Sequence, residues 1–354
     1  MPNEAPAAGP PSREVREALA RWDLGAVQET VPLVRGSSAS PKFVITAEAG
    51  RFVLKRRAPG GASDPERIAL AHAFIAASVR AGVPAVLPRV ARSGRLFECT
   101  ADGTWELFPF VQGERWSRTA EQARAAGESL GLMHGAGLAL RWHGHVPAVS
   151  FHGSLTVMEA LRLAPESVLR VEPDADRAAL QTACESLAQS YRHAAAHAES
   201  AGFADQDAQV VHGDFHPGNL LYHGDQVAGA IDFDAVRLEP AVLDFANGLL
   251  QFSCFRGPAD RVAQWPAELD PLRLAAFCHG YVRRLDEPVR GWVDLVTPLM
   301  IEACVAEASL PIARKGRFGP VRAADMLQLV ARRAAWLLRQ GAQVREWLRS
   351  SLQR

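Results

Sequence analysis

Asp214 and Asn219 stand five residues apart in VVHGDFHPGN (210–219), and Asp232 follows thirteen residues later near the end of an apolar run, QVAGAIDF (226–233). An amide oxygen and a carboxylate held together suit a hard cation such as Mg2+. That ion accepts a few protein oxygens and fills its shell with phosphate oxygens and water. A second carboxylate, Asp214, lies five residues before Asn219 in the loop entering the same open end. Isolated Asp and Asn residues more often cap loops. Here the joint spacing, with apolar strand-like runs between, favours one site over three unrelated caps.

Some element must bring these residues together. NLLYH (219–223) and QVAGAIDF bracket Gly224-Asp225, the signal of a two-residue hairpin. A tight turn there pairs Asn219 with Ala230, and Asp232 then lies one same-face step further along, because side chains alternate on a strand. Diagonal neighbours of that kind sit roughly 7–8 Å apart, a separation that suits two oxygens sharing one cation.

Upstream, Val15, Leu19 and Trp22 mark one face of a short helix starting near Ser12, and KFVIT (42–46) with RFVLKR (51–56) reads as a hairpin. Asp64-Pro65 has the form of an N-cap followed by a first-turn proline. Ile68, Ala71, Ile75 and Val79 supply the apolar stripe, and Gly82 a stop. RLFECT and GTWELFPFV are strand-like. Beyond Gly113 the pattern turns helical, in AEQARAAGESLGLMHGAGLAL, in DADRAALQTACESLAQSYRHAAAHAES and again from about 267 to 353. The expected chain is therefore α+β: a disordered tail at 1–11, a small β-rich N-lobe at 12–111, and a large mainly helical C-lobe at 112–354. A catalytic loop and hairpin are inserted in the C-lobe at 210–234.

HGDFHPGN followed by IDFD resembles the aminoglycoside phosphotransferase and choline kinase-like family, whose pattern is HGDxHxxN and then IDW or IDF. The resemblance runs from about residue 27 to 250 and is most specific at 210–244. It implies a two-lobed protein-kinase-like fold, ATP and Mg2+ as cofactors, and transfer of the γ-phosphate to a hydroxyl group of a small-molecule acceptor. By position, it implies Asp214 as the catalytic base, Asn219 and Asp232 as magnesium ligands, and His216 in the place of a phosphate-contacting lysine. Asp244, in EPAVLDFAN, matches an acid that braces the catalytic loop. Lys55, in RFVLKR, matches the phosphate-binding lysine of the third strand. WELFPFVQGE (105–114) looks like the hinge whose backbone near Phe110 and Val111 holds adenine, and GESLGLMHGAG (127–137) resembles the helix ending in LGxxHxA.

Two segments depart from the family pattern. LVRGSSAS (33–40) carries a single glycine, Gly36, where Gly-Gly and Asn are common, and the helix after Lys55 has Ala71 and His72 where a mid-helix glutamate is sought. A pseudokinase or nucleotide-binding regulatory protein is the reading these departures favour; the intact trio favours an enzyme. The acceptor stays open among aminoglycosides, choline, homoserine, other metabolites and protein Ser/Thr hydroxyls. WELFPF and VLKRR lean toward the homoserine-kinase-like branch.

The bulk composition excludes other classes. Lys plus Arg and Asp plus Glu both total 39, so no global field draws nucleic acid or an anionic membrane, and neither partner is expected. Five scattered cysteines form no CxxC or zinc-ribbon spacing and fit a reducing, cytoplasmic setting. No signal peptide and no apolar run of membrane-spanning length are expected. A Walker loop, a Rossmann GxGxxG and a GxSxG elbow are missing from the sequence. His193 and His197 share a helical i, i+4 spacing with no third ligand and read as a solvated pair; His143, His145 and His152 read as loop residues bordering the cleft.

Overall fold

Alternating apolar residues make the first third of the chain a sheet. The computed structural model describes residues 11–33, 40–60, 63–144, 146, 150–285, 289 and 291–352. The expected tail at 1–11 and the loop at 33–40 fall almost entirely outside these residues. Strands β1 (Val27–Pro32), β2 (Lys42–Ala47), β3 (Gly50–Arg56), β4 (Glu98–Thr100) and β5 (Gly103–Pro109) form one antiparallel sheet in the order β1-β2-β3-β5-β4. Ile45, Phe52, Leu54, Trp105 and Leu107 bury one face together with Val15 and Leu19 of helix α1 (Arg13–Leu19) and with Trp22. By strand alternation the opposite face carries Lys42, Lys55 and Glu106.

Helix α2 (Pro65–Arg80) begins as expected, with Asp64 accepting the N–H of Glu66 at 2.8 Å and Pro65 in the first turn. Ile68, Ala71 and Ile75 are buried, but Val79, expected on the same stripe, is 37% exposed. Leu70 and Phe74 are buried instead and turn the helix toward the second lobe, where Phe74 meets Phe233 edge-on with centroids 6.0 Å apart.

The second lobe holds α3 (Ala120–Ala139), α4 (Leu155–Leu169), α5 (Arg177–Ser200), α6 (Ala241–Ser253), α7 (Pro271–Val282), α8 (Trp292–Lys315) and α9 (Ala323–Leu352). Between α5 and α6 lie β6 (Ala208–Val211), β7 (Leu220–His223), β8 (Gln226–Ala230) and β9 (Arg237–Pro240). The insert at 210–234 was expected as one hairpin. That hairpin is present as β7 pairing β8, and a second two-stranded sheet, β6 pairing β9, accompanies it. β1, α4 and β9 have no counterpart in the sequence reading: β1 is polar and largely exposed, α4 contains Pro165, and β9 runs straight into α6.

Helices α3 and α7 cross at backbone contact. A Cβ on Gly127 would lie 2.0 Å from Phe277 O, and one on Gly280 2.0 Å from Arg124 O. Helix α8 corrects another expectation, since its length and apolar composition would let it cross a membrane. Its apolarity has a different cause. It is packed among α4, α5, α6 and α9, and most of it is buried inside the lobe.

Candidate active site

Strand β6 ends in the buried pair Val210 and Val211 and delivers residues 212–219 to the open end of the insert. Asp244, in the first turn of α6, holds that loop. Its Oδ2 accepts the His212 N–H at 3.0 Å and its Oδ1 the Gly213 N–H at 3.2 Å, so two loop donors are satisfied by one carboxylate. Burial pushes this carboxyl up, but His134 and Arg237 outweigh it and hold Asp244 below its ordinary value. His134 comes from the GESLGLMHGAG helix, with Nε2 3.5 Å from Asp244 Oδ2 and Nδ1 2.7 Å from the Tyr281 hydroxyl. The bracing role implied for Asp244 is thus matched by its contacts. At Gly213, φ is +77°, and a Cβ would sit 2.4 Å from both Ala235 O and Arg237 Nη1. Only glycine fits.

Within the loop, Asn219 Nδ2 donates to Asp214 O at 2.9 Å and to Asp214 Oδ2 at 3.3 Å. That leaves Asn219 Oδ1 and Asp214 Oδ1 with no protein partner among the described residues. His216 Nδ1 accepts the Gly218 N–H at 2.9 Å, which puts the proton of the neutral ring on Nε2, facing Asp214 Oδ2 at 3.6 Å. Burial lowers the His216 pKa; Asp214 outweighs burial and raises it above the ordinary value. His212 beneath is different. Burial dominates, lowers its pKa and keeps the ring neutral between the Asp214 N–H and Ile231 O.

Asp232 reaches the site by a route the sequence reading did not foresee. His223 pairs with Gln226 and Tyr222 with Val227, as a tight turn requires, but a bulge shifts the register so that Leu220 faces Ala230. The expected Asn219–Ala230 pairing is therefore off by one residue, and strand alternation alone would put Asn219 and Asp232 on opposite faces. Asp232 has left the strand. It adopts φ +64°, ψ +58°, a left-handed conformation that Asp tolerates better than most residues. Its Oδ1 lies 2.7 Å from Lys55 Nζ and its Oδ2 3.0 Å from Lys42 Nζ. Burial opposes ionisation here, but the two ammonium groups outweigh it and hold Asp232 well below the usual carboxylate range.

Lys42, Lys55 and Glu106 form a cross-strand row, Lys42 opposite Lys55 and Lys55 opposite Glu106. Lys55 also lies 2.7 Å from Asp234 Oδ1. Burial acts to lower the Lys55 pKa, and Asp232, Asp234 and Glu106 together raise it. The acids in ion pairs with Lys55 are Asp232 and Asp234, and Glu106 lies opposite it across the strand, bound to other partners. It accepts two bonds from Arg57, at 2.8 and 3.0 Å, and contacts His72 Nε2 at 2.5 Å. Burial would raise this carboxyl; His72, Arg57 and Lys55 bring it down to about 2. A third acid near Lys55 therefore comes from strand β5, and helix α2 contributes the histidine that holds it.

The segment between the lobes is fastened to the insert. Phe110 N–H donates to Arg51 O at 2.9 Å, and the Arg51 guanidinium lies 4.2 Å over the Phe110 ring. Glu114 exchanges two backbone hydrogen bonds with Tyr222, at 2.7 and 2.9 Å. A Cβ on Gly229 would lie 2.9 Å from Val111 Cγ1, so Val111 packs directly on β8.

His152, expected as a loop residue, has both ring nitrogens engaged by carboxylates. It is clamped between Glu302, with Nδ1 to Oε1 at 2.8 Å, and Glu199, with Nε2 to Oε1 at 2.9 Å. His193 and His197 lie exposed on α5, and His145 is outside the described residues. Three members of the site escaped the sequence reading. Lys42 follows from the β2–β3 hairpin, whose register puts it opposite Lys55; Asp234 lies inside the quoted IDFD; Glu106 required the pairing of β3 with β5.

The profile of the phosphotransferase enzyme family matches residues 29–292. No curated protein matches the chain. Among solved structures, an aminoglycoside phosphotransferase from Alicyclobacillus acidocaldarius is 18% identical, with a TM-score of 0.63 over 96% of this chain and 98% of that one. A microcompartment-associated aminopropanol kinase is 15% identical, with a TM-score of 0.68 over 94% and 98%. Amicoumacin kinase hAmiN, in complex with AMP-PNP, Ca2+ and Ami, is 16% identical, with a TM-score of 0.62 over 95% and 93%. These likenesses establish the two-lobed, protein-kinase-like fold.

Proposed function

From membership of the phosphotransferase enzyme family, to which this chain belongs, we propose an ATP- and magnesium-dependent kinase that phosphorylates a hydroxyl group of a small molecule. The observation that carries this reading is a pair of adjoining contacts, Asn219 to Asp214 within the loop and Asp232 to Lys55 across the lobes, linked by the Ile231 N–H donating to Asn219 O at 3.0 Å. The donor set fits the cofactors. Asn219 Oδ1 and the Asp232 carboxylate are hard oxygen ligands, and Lys55 beside them is a cation for phosphate oxygens. A bound magnesium ion would supply charge neutralisation for the phosphates. Asn219 and Asp232 would hold it. Amicoumacin kinase carries a nucleotide analogue and a divalent cation in its structure, which agrees with this assignment.

The chain's own residues then divide the work. Asp214 Oδ1, the oxygen without a protein partner, takes the proton of the acceptor hydroxyl as the hydroxyl oxygen bonds to the γ-phosphorus of ATP and the bond from that phosphorus to the β–γ bridging oxygen breaks, releasing ADP. His216 turns Nε2 toward Asp214 Oδ2, and that carboxylate outweighs burial and raises the histidine's pKa above its ordinary value, which favours a proton beside the base. Phe110 has its N–H committed to Arg51 O, so its carbonyl and the Val111 N–H are what the linker offers to adenine. Aminopropanol and amicoumacin are the acceptors named for two proteins of this fold, and both are small molecules.

The test is transfer of labelled phosphate from ATP to a panel of hydroxyl-bearing metabolites, run with two near-isosteric variants. Asp214→Asn is expected to keep Mg-ATP affinity and lose roughly 10²–10⁴-fold in turnover. Asp232→Asn is expected to weaken ATP binding in a magnesium-dependent way. Nucleotide binding without turnover on any acceptor overturns the kinase reading in favour of a pseudokinase, and a reversal of the two phenotypes overturns the assignment of roles.

A further inference from the structure

Lys42 sits directly opposite Lys55 on the face of the sheet that looks toward the insert. Like charges directly opposite on neighbouring strands repel, so the arrangement costs stability unless an anion lies between them. Here the anion is a single carboxylate, Asp232, with one oxygen on each lysine. The two lysines are otherwise unequal. Lys55 has Asp234 at 2.7 Å and Glu106 across the strand. Lys42 has no second acid among the described residues. Its side chain is 14% exposed against 5% for Lys55, so it stands at the open edge of the row.

We propose that Lys42 is a second phosphate-holding cation of the nucleotide site, acting beside Lys55 on the phosphates of ATP. The inference rests on the kinase reading, in which the Asp232 carboxylate serves a divalent ion. Once that carboxylate is shared, Lys55 keeps its other acids and Lys42 does not. A polyphosphate placed between the two ammonium groups restores the balance of charge. Two lysines from one hairpin then provide a side-chain grip on the phosphates.

The test is calorimetric titration of the full-length protein with Mg-ATP, Mg-ADP, AMP and adenosine, comparing wild type with Lys42→Met and Lys42→Arg. Methionine preserves the aliphatic stem, and a thermal melt checks that the fold persists. The expected result is that Lys42→Met weakens Mg-ATP about tenfold or more, as loss of a charge-assisted contact does, and leaves adenosine unchanged. Lys42→Arg retains most of the Mg-ATP affinity. Unchanged ATP affinity in Lys42→Met overturns the proposal and leaves Lys42 as a latch on Asp232. Equal weakening of ATP and adenosine overturns it too, since the lysine would then shape the lobe and not the phosphate site. If the wild type binds no nucleotide at all, the kinase reading falls first and this inference with it.

Discussion

Two glycines on one helix should respond in opposite ways to the same substitution. Gly135 and Gly137 both lie in α3, and Gly→Ala inside a helix gains about 0.8–1 kcal/mol by propensity alone. At Gly135, which is exposed, a Cβ meets nothing within 4 Å, so Gly135→Ala is expected to stabilise the protein by about 0.5–1 kcal/mol. At Gly137 the Cβ would lie 1.9 Å from Val210 O and 3.3 Å from Phe74 Cε2. Carbon and carbonyl oxygen approach to about 3.3 Å at the closest, so helix and strand must part by more than about 1 Å. The obstacle is strand backbone, which cannot rotate aside. Overpacking of this kind costs about 1–3 kcal/mol or more and outweighs the propensity gain. Val210 lies in the strand that delivers the Asp214 loop, so turnover should fall in Gly137→Ala and not in Gly135→Ala. Urea unfolding followed by circular dichroism gives the comparison through the midpoints. Midpoint shifts of the same sign, or a stabilised Gly137→Ala, would refute the contact between α3 and β6.

Asp244→Asn removes one of two charge-assisted acceptors for the loop and turns an amide donor toward a backbone N–H. A loss of about 1.5–3 kcal/mol in unfolding free energy is expected, with reduced turnover; a change under about 0.5 kcal/mol in urea titration would count against the brace. Lys55→Ala is expected to weaken Mg-ATP binding about tenfold or more while the fold persists, because Asp232 and Asp234 are both partly exposed and can be hydrated. Equal ATP affinity in mutant and wild type would remove Lys55 from the site. His152 loses charge stability to burial, but Glu302 and Glu199 outweigh it and raise its pKa above 6.5. A raised histidine stabilises the fold below 6.5, and that contribution is lost as pH rises through the raised value. The stability gap between wild type and His152→Gln should therefore be widest in mild acid and narrow with rising pH; a gap that widens toward alkaline pH would refute the clamp.

The parts of this molecule that depend on neighbours in sequence were legible before the fold. The cap at Asp64-Pro65, the β2–β3 hairpin and the polar density of VVHGDFHPGN are local chemistry, and each appears where its residues predict. The register of β7 and β8 is not local. The Ala230 N–H donates to Pro84 O, in the turn after α2, and Gly229 gives way to Val111 from the linker. Those two contacts come from segments more than a hundred residues upstream in sequence, and they accompany the bulge that no reading of QVAGAIDF contains. Asp232 then reaches the lysines through a left-handed backbone step, which alternation along a strand cannot express. Lys55 and Asp232 are brought together by a geometry that strand alternation does not describe.

The absent helix glutamate shows the same limit from the other side. A search along α2 for an acid finds His72 and stops, because it assumes that the partner of Lys55 must come from that helix. Lys55 instead finds its ion pairs in Asp232 and Asp234 of the insert, and the sheet adds a third acid. Glu106 lies opposite Lys55 in register, fixed by Arg57 and by the very histidine that occupied the expected place. An acid on the same sheet as Lys55 keeps its distance to that lysine by strand pairing, and helix α2 supplies only the brace. Asp232 and Asp234 then complete the set from below. The departure in sequence is thus a change in which element carries the charge, and Lys55 is left with three carboxylates around it. That count is why its ammonium stays protonated despite burial.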